Sequence, residues 1–427
     1  MPRWLMRCCV AASLVATGII AVLPATVLAQ TDAARNADIE RRLDESNRLI
    51  ESLGARVREL EGRVGSPPST ATPDAPVDSP SGHDHGGAAA PTGSGLHVTI
   101  PPIPLRGFAD VGSGYLSRGG KRGFSVGSLD FYLAPNFENN ARALIEMVFE
   151  VDEHGELHTD LERLQLGYAF SDALTAWVGR FHTPYGYWNT AFHHGQQFQP
   201  SILRPRFIDF EDRGGIIPAH VVGLWTNGVI RLGNGRVTYD VFTGNNPGIK
   251  SGVLTPNIAG TDHGGLLAGF NLGYRFAGAL RGFAAGVHGM QFAVRDDTTP
   301  PNVMRVGMLG GYGVYEGDRL EVITEYYRFN NKASGAGRHG SWAGFLHLGV
   351  RLGAWVPFGR IERSVLDQND PYFALQTSGR SYARQVAGVR FDLSSTAALK
   401  FEVNRTRKWD PAPTGQNEIR FQYAIRF

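Results

Sequence analysis

From residue 103 to the C-terminus, apolar and polar side chains alternate over successive runs separated by turn-forming positions. Ala143, Ile145, Met147, Phe149 and Val151 alternate with Arg142, Glu146 and Glu150. Leu164, Leu166, Tyr168 and Phe170 alternate with Arg163 and Gln165, and Leu399, Phe401 and Val403 with Lys400, Glu402 and Asn404. A period of two puts neighbouring side chains on opposite faces of a strand, so each run has one apolar and one polar face. Runs of about ten residues suit a tilted strand crossing a bilayer. The pattern predicts sixteen strands, over 103–116, 122–137, 140–152, 157–170, 173–182, 219–232, 235–244, 264–276, 280–295, 303–316, 318–330, 341–353, 355–364, 381–393, 396–408 and 415–427.

The connections alternate too. Tight turns are expected at Glu138-Asn139-Asn140, Ser171-Asp172, Gly233-Asn234, Ala277-Gly278, Gly317 and Ser394-Ser395, and mostly longer connections between them, the longest over 183–218. Short turns on one rim and long loops on the other describe an outer-membrane barrel. The expected fold is therefore all-β: a 16-stranded antiparallel transmembrane β-barrel over 103–427. In the last run Ile419, Phe421, Tyr423, Ile425 and Phe427 oppose Glu418, Arg420, Gln422, Ala424 and Arg426. Ending on Phe427 in register with the apolar face looks like the signal read by the barrel-assembly machinery of the outer membrane. That machinery and outer-membrane lipid are the expected partners.

Before the barrel the pattern differs. Arg3 and Arg7 flank an apolar stretch ending in Val27-Leu28-Ala29, which fits a cleavable signal peptide over 1–29. Cleavage there removes Cys8 and Cys9, so no disulfide contributes to the mature chain. In 30–64 the residues Ile39, Leu43, Ile50, Leu53, Val57, Leu60 and Val64 follow a heptad, broken at Ser46. This spacing predicts an N-terminal α-helical coiled coil and self-association, with dimer and trimer both compatible. Residues 65–102 are rich in Pro, Ser, Gly and Ala and read as a periplasmic spacer.

The Leu5–Leu28 stretch is the one apolar run long enough for a helical span, which excludes a polytopic helical membrane protein. The formal charge of +2 comes from Arg3 and Arg7, which leave with the signal. Residues 103–427 keep 33 basic against 29 acidic groups, a mild excess compatible with weak anion preference. No nucleic-acid partner and no cofactor are expected.

Sixteen strands leave a water-filled lumen, whereas about eight are plugged by side chains. Inward Arg142, Glu146, Arg163, Arg180, Arg275, Arg351, Lys400 and Glu402 are expected to line it. The 183–218 connection and its flanks gather His182, Tyr185, Trp188, His193, His194, Arg204, Arg206, Asp209, Glu211, Asp212 and Arg213, which form the expected pore constriction. Proline and glycine at Pro184, Gly186, Pro205, Gly214 and Gly215 suit an ordered loop lying against the inner wall, its charges in the aqueous path.

The stretch VGRFHTPYGYWN, a strand ending in Gly-Arg-Phe before a Pro-aromatic-Gly turn, resembles the phosphate-selective porin O and P family. The coiled coil, strand number and terminal Phe are also similar to that family. The resemblance implies a homotrimer whose third outward loop narrows the pore. Phosphate selectivity in that family depends on basic pore residues including lysine, but here lysine occurs only at 121, 250, 332, 400 and 408. Arginine can hold oxyanions instead, though Asp209, Glu211 and Asp212 offset Arg204, Arg206 and Arg213.

The expected function is passive diffusion of small polar solutes, including anions such as phosphate. Two alternatives remain: a barrel tethering the outer membrane to peptidoglycan through the coiled coil, and a metal-associated uptake channel. For the latter, His182, His193, His194 and His220 are the candidate ligands, with adjacent His193 and His194 requiring a sharp turn to share an ion. His83-Asp84-His85 on the spacer is a poorer metal site. An enzyme is not expected. Ser341 follows His339 by two positions without an evident third partner, and no His-Glu-x-x-His motif occurs.

Overall fold

The computed structural model describes residues 105–427, apart from 118–121, 136, 138–139, 152–154, 193–194, 262, 299, 334–336 and 410–411. The expected signal peptide, coiled coil and spacer lie outside the described residues, as do His193 and His194.

The strands are β1 (Leu105–Leu116), β2 (Arg122–Leu133), β3 (Ala141–Val151), β4 (Leu157–Ser171), β5 (Leu174–His182), β6 (His220–Leu232), β7 (Gly235–Gly244), β8 (Gly248–Lys250), β9 (Val253–Thr255), β10 (Leu267–Arg275), β11 (Phe283–Asp296), β12 (Val303–Glu316), β13 (Leu320–Ala333), β14 (Arg338–Val350), β15 (Trp355–Val365), β16 (Tyr382–Ser394), β17 (Ala397–Lys408) and β18 (Thr414–Arg426). Two short helices, α1 (Trp188–Ala191) and α2 (Pro371–Ala374), lie in loops. Each strand pairs antiparallel with its sequence neighbour, except that β7 pairs with β10 across the small β8–β9 hairpin. β1 pairs with both β2 and β18, so sixteen strands close into a barrel with no free edge. The closing seam runs to the last residue, where Phe427 and Gly107 exchange backbone hydrogen bonds of 2.9 and 3.0 Å.

All sixteen expected strands are present. The differences are local: a 3₁₀ turn at Gly278–Leu280 lengthens the connection expected to be tight at Ala277-Gly278, and β14 begins at Arg338. The β8–β9 hairpin was not expected. Its three-residue strands are too short to show a period, and they pair within a loop.

The polarity of the wall is inverted relative to a soluble protein. Leu166, Leu348, Ile361 and Phe401 are exposed, whereas Glu146, Glu362, Lys400 and Glu402 are buried. A closed barrel satisfies its backbone internally, so an apolar exterior is stable where lipid covers it. On β11–β13 the outer halves reverse this order: Gln291, Arg305, Arg328 and Lys332 are exposed, and Phe292, Met304, Tyr327 and Phe329 are buried. There the wall behaves like a soluble protein above the apolar belt.

A row of glycines crosses β5, β6 and β7, with Gly179 paired to Gly223 and Gly223 to Gly244. Gly179 has φ +129°, and a Cβ there would lie 1.9 Å from the Leu164 carbonyl oxygen. Gly179→Ala is therefore expected to cost roughly 1–3 kcal/mol from backbone strain alone. Heat-modifiable gel migration across a temperature series should show unfolding at a lower temperature than wild type.

Candidate functional site

Residues 183–219 leave β5 and return at β6 with little regular structure, so their backbone groups need partners elsewhere. The partners are charged side chains on the inner face of the wall. Glu325 on β13 accepts the N–H groups of Tyr187 and Trp188 at 3.1 and 2.6 Å. Glu402 on β17 accepts those of Ile202 and Leu203 at 2.9 and 3.2 Å, and Glu362 on β15 that of Arg206 at 2.9 Å. Cations take the carbonyls: Arg360 donates to Leu203 and Arg204, Lys400 to Gln196 and Ser201, and Arg390 to Phe198 and Gln199. These strands lie well around the ring from β5 and β6, so the segment runs through the interior of the barrel.

Its aromatic residues pack against one side of the wall. Trp188 lies edge-on to Phe345 and His347, and Phe207 edge-on to Tyr327 at 5.0 Å. The β15–β16 loop adds Tyr372 and Phe373 from α2 against Phe292 and Phe329, and Ile249 and Leu254 of the β8–β9 hairpin join the same cluster. The interior beside β10–β14 is thus an apolar core.

The remaining interior is charged and open. One cavity of about 400 Å³ is lined by Asp130, Glu150, Asp160, Glu162, Asp212 and Arg180, among others. Another, of about 520 Å³, is lined by Arg204, Arg206, Arg213, Arg384, Lys408 and Arg420 against Asp209 and Glu418. Arg213 and Gln196 border both. Asp212 borders the first of these cavities yet is ringed by protein. Its partial desolvation, helped by Glu150, Asp209 and Glu211 and opposed by Arg213, raises its carboxyl to about 6.

The expected loop residues divide into two groups. Tyr185, Trp188 and Arg204 are buried in the loop's own packing. Arg204 donates to the Phe192 and Ile208 carbonyls and to Asn189, and its guanidinium stands 4.5 Å from the Phe210 ring, so it organises the loop. Arg206, Asp209, Asp212 and Arg213 reach the open cavities. Glu211 is mostly buried, accepting the Ala219 and His220 N–H groups at 2.7 and 3.0 Å.

Of the expected wall residues, Glu146, Arg163, Arg180, Lys400 and Glu402 lie on the inner face. Arg163 pairs with Glu146, and Arg180 makes a two-pronged contact with Asp160 at 2.8 and 2.9 Å. Arg142 and Arg275 sit at the short-turn ends of β3 and β10, and Arg275 is 3.4 Å from Glu316. Arg351 lies beyond the end of β14, half exposed and 3.3 Å from Asp392, on the rim instead of along the wall.

Sequence reasoning did not single out Glu162. A bulge in β4 leaves it without a cross-strand partner between Leu161 and Arg163, so both it and Arg163 turn inward and the strict alternation breaks. Its Oε2 lies 2.7 Å from His220 Nε2, and His220 Nδ1 lies 3.0 Å from Glu211. His182, paired across the ladder with His220, is 3.7 Å from Glu146. The anchors Glu325, Arg360, Glu362 and Arg390 were likewise missed, although Arg360-x-Glu362 shows the alternating polar face expected of inward residues.

No family model and no curated protein sequence matches this chain. Among solved structures it is similar to an anion-selective porin from Comamonas acidovorans, with a TM-score of 0.55 and 11% identity, covering 76% of this chain and 99% of that one. It is also similar to Salmonella typhi OmpF, with a TM-score of 0.51 and 10% identity, and to the outer membrane channel DcaP of Acinetobacter baumannii, at 0.50 and 10%, each covering 76% of this chain and 97% of the other. The fold is that of the porins.

Ser341 and His339 at the outer end of β14 meet Asp367, whose carboxylate lies 2.8 Å from His339 Nδ1. Ser341 Oγ instead accepts the Asp367 N–H at 2.9 Å, and no hydrogen bond joins it to His339.

Within this porin fold, Glu325 is the anchor whose loss is easiest to read. Glu325→Ala leaves two buried N–H groups unpaired, at about 1–3 kcal/mol each. Amide exchange over 185–192 should quicken markedly while the strands stay protected.

Proposed function

We propose that this chain is an outer-membrane channel for passive diffusion of small polar solutes, with a weak preference for anions, narrowed by the 183–219 loop. The larger open cavity carries the reading: six basic side chains line it against two carboxylates. Arg384 and Arg420 share the one carboxylate of Glu418, at 3.7 and 2.5 Å, so that cluster stays net positive beside Arg206 and Lys408. Confined charge of one sign concentrates the opposite ion in a water-filled path. The acidic neighbouring cavity, with Asp130, Asp160 and Asp212, limits that preference, so small inorganic anions including phosphate pass without strong selection.

An apolar exterior and a polar interior support residence in the outer membrane. The heptad over 39–64 and the resemblance to phosphate-selective porins support a homotrimer with a periplasmic stalk.

Purified protein in planar bilayers under a salt gradient tests the reading. A reversal potential of the sign for anion preference is expected, and Arg206→Ala/Arg384→Ala should lower the anion-to-cation permeability ratio by about twofold. Below pH 6 Asp212 takes up a proton and loses its negative charge, so the ratio should rise between pH 7 and pH 5. Absence of conductance, or a cation preference unaffected by the arginine changes, would contradict it.

A further inference from the structure

We propose that Glu162, His182 and His220 form a binding site for a divalent transition-metal ion, with Zn²⁺ the best chemical match. The three residues come from adjacent strands: Glu162 from the β4 bulge, His182 from the end of β5 and His220 from the start of β6. One ligand atom from each lies within 4.8 Å of the others. A tetrahedral ion with bonds of about 2.1 Å holds its ligands about 3.4 Å apart. Small side-chain movements therefore suffice, chiefly opening of the His220–Glu162 contact at 2.7 Å.

The surroundings fit a metal-ligating histidine. Glu211 accepts from the backbone at Ala219 and His220 through Oε1, and places Oε2 3.0 Å from His220 Nδ1. This fixes the ring with Nε2 facing Glu162, the carboxylate–imidazole relay that orients metal ligands. Glu146 supplies a second, independent observation. It is fully buried, its Oε2 is 3.7 Å from His182 Nε2, and its Oε1 has no hydrogen-bond partner. An ion gives that carboxylate a ligand role.

Charge is compatible with an ion. The carboxylates of Glu146, Asp160, Glu162 and Glu211 exceed the cations Arg163 and Arg180 by two, which one divalent ion on neutral imidazoles balances, as two protonated histidines do without it. Two imidazoles and carboxylates favour zinc, or copper and nickel, over the all-oxygen ligand sets of magnesium and calcium. Access is through the 400 Å³ cavity, which Glu162 and His220 line.

The test uses the full chain in detergent, stripped with chelator and titrated with Zn²⁺ by calorimetry and with Co²⁺ by visible absorption near pH 7.5. One ion per chain is expected, with cobalt bands of a nitrogen–oxygen tetrahedral site. His182→Ala and His220→Ala should each weaken binding by about 100-fold and Glu211→Gln by about 10-fold, whereas His193→Ala/His194→Ala should leave it unchanged. Heat-modifiable migration identifies folded variants. If the histidine variants do not fold, Zn²⁺ should still protect His182 and His220 of the wild type from diethyl pyrocarbonate, as read by mass spectrometry. No stoichiometric binding by folded wild type would overturn the proposal and assign the charge balance to protonated histidines. So would affinity retained in folded His182→Ala/His220→Ala, or unprotected histidines.

Discussion

Two kinds of group that are each costly to bury satisfy one another inside this barrel. A closed barrel with an apolar exterior turns its charged residues inward, where Glu325, Arg360, Glu362, Lys400 and Glu402 are nearly free of solvent contact. A loop without regular structure brings unpaired backbone N–H and C=O groups into the same space. Either alone would be destabilising. Together they match: carboxylates take the N–H groups of Tyr187, Trp188, Ile202, Leu203 and Arg206, and arginine and lysine take carbonyls between Gln196 and Arg204. Charge-assisted hydrogen bonds of this kind are roughly twice as strong as neutral ones. The loop is thus held by many separate points on the wall.

This arrangement divides the interior. Beside β10–β14 the wall turns Met290, Phe292, Met308 and Tyr327 inward, and three loops cover them with aromatic and aliphatic side chains. The open cavities lie on the other side, where Arg206, Arg384 and Lys408 meet Asp209 and Glu418. The mildly basic composition of the barrel becomes local chemistry there. Some charges elsewhere, such as Arg180 with Asp160 and Arg163 with Glu146, are neutralised in place.

The strands were legible because period two is a purely local signal, and all sixteen appear within a few residues of their expected limits. Loop contents were legible only as composition. Sequence alone put the aromatic and charged residues of 183–218 together, but burial separates Tyr185, Trp188 and Arg204 from Asp212 and Arg213. That separation depends on contacts with strands far along the chain. Glu162 was hidden for the opposite reason, since one bulge shifts the register and moves it to the inner face. The histidines were legible as a set, and only the pairing of β5 with β6 makes partners of His182 and His220.

Charged side chains of the inner wall hold the 183–219 loop within the barrel, and the proposed function requires the loop to narrow the path there. Single-channel conductance of Glu325→Ala/Glu362→Ala/Glu402→Ala, compared with wild type at matched salt, tests it most directly. A folded barrel with larger and noisier conductance is expected as the freed loop leaves the lumen. A folded triple variant with wild-type conductance and noise would contradict it.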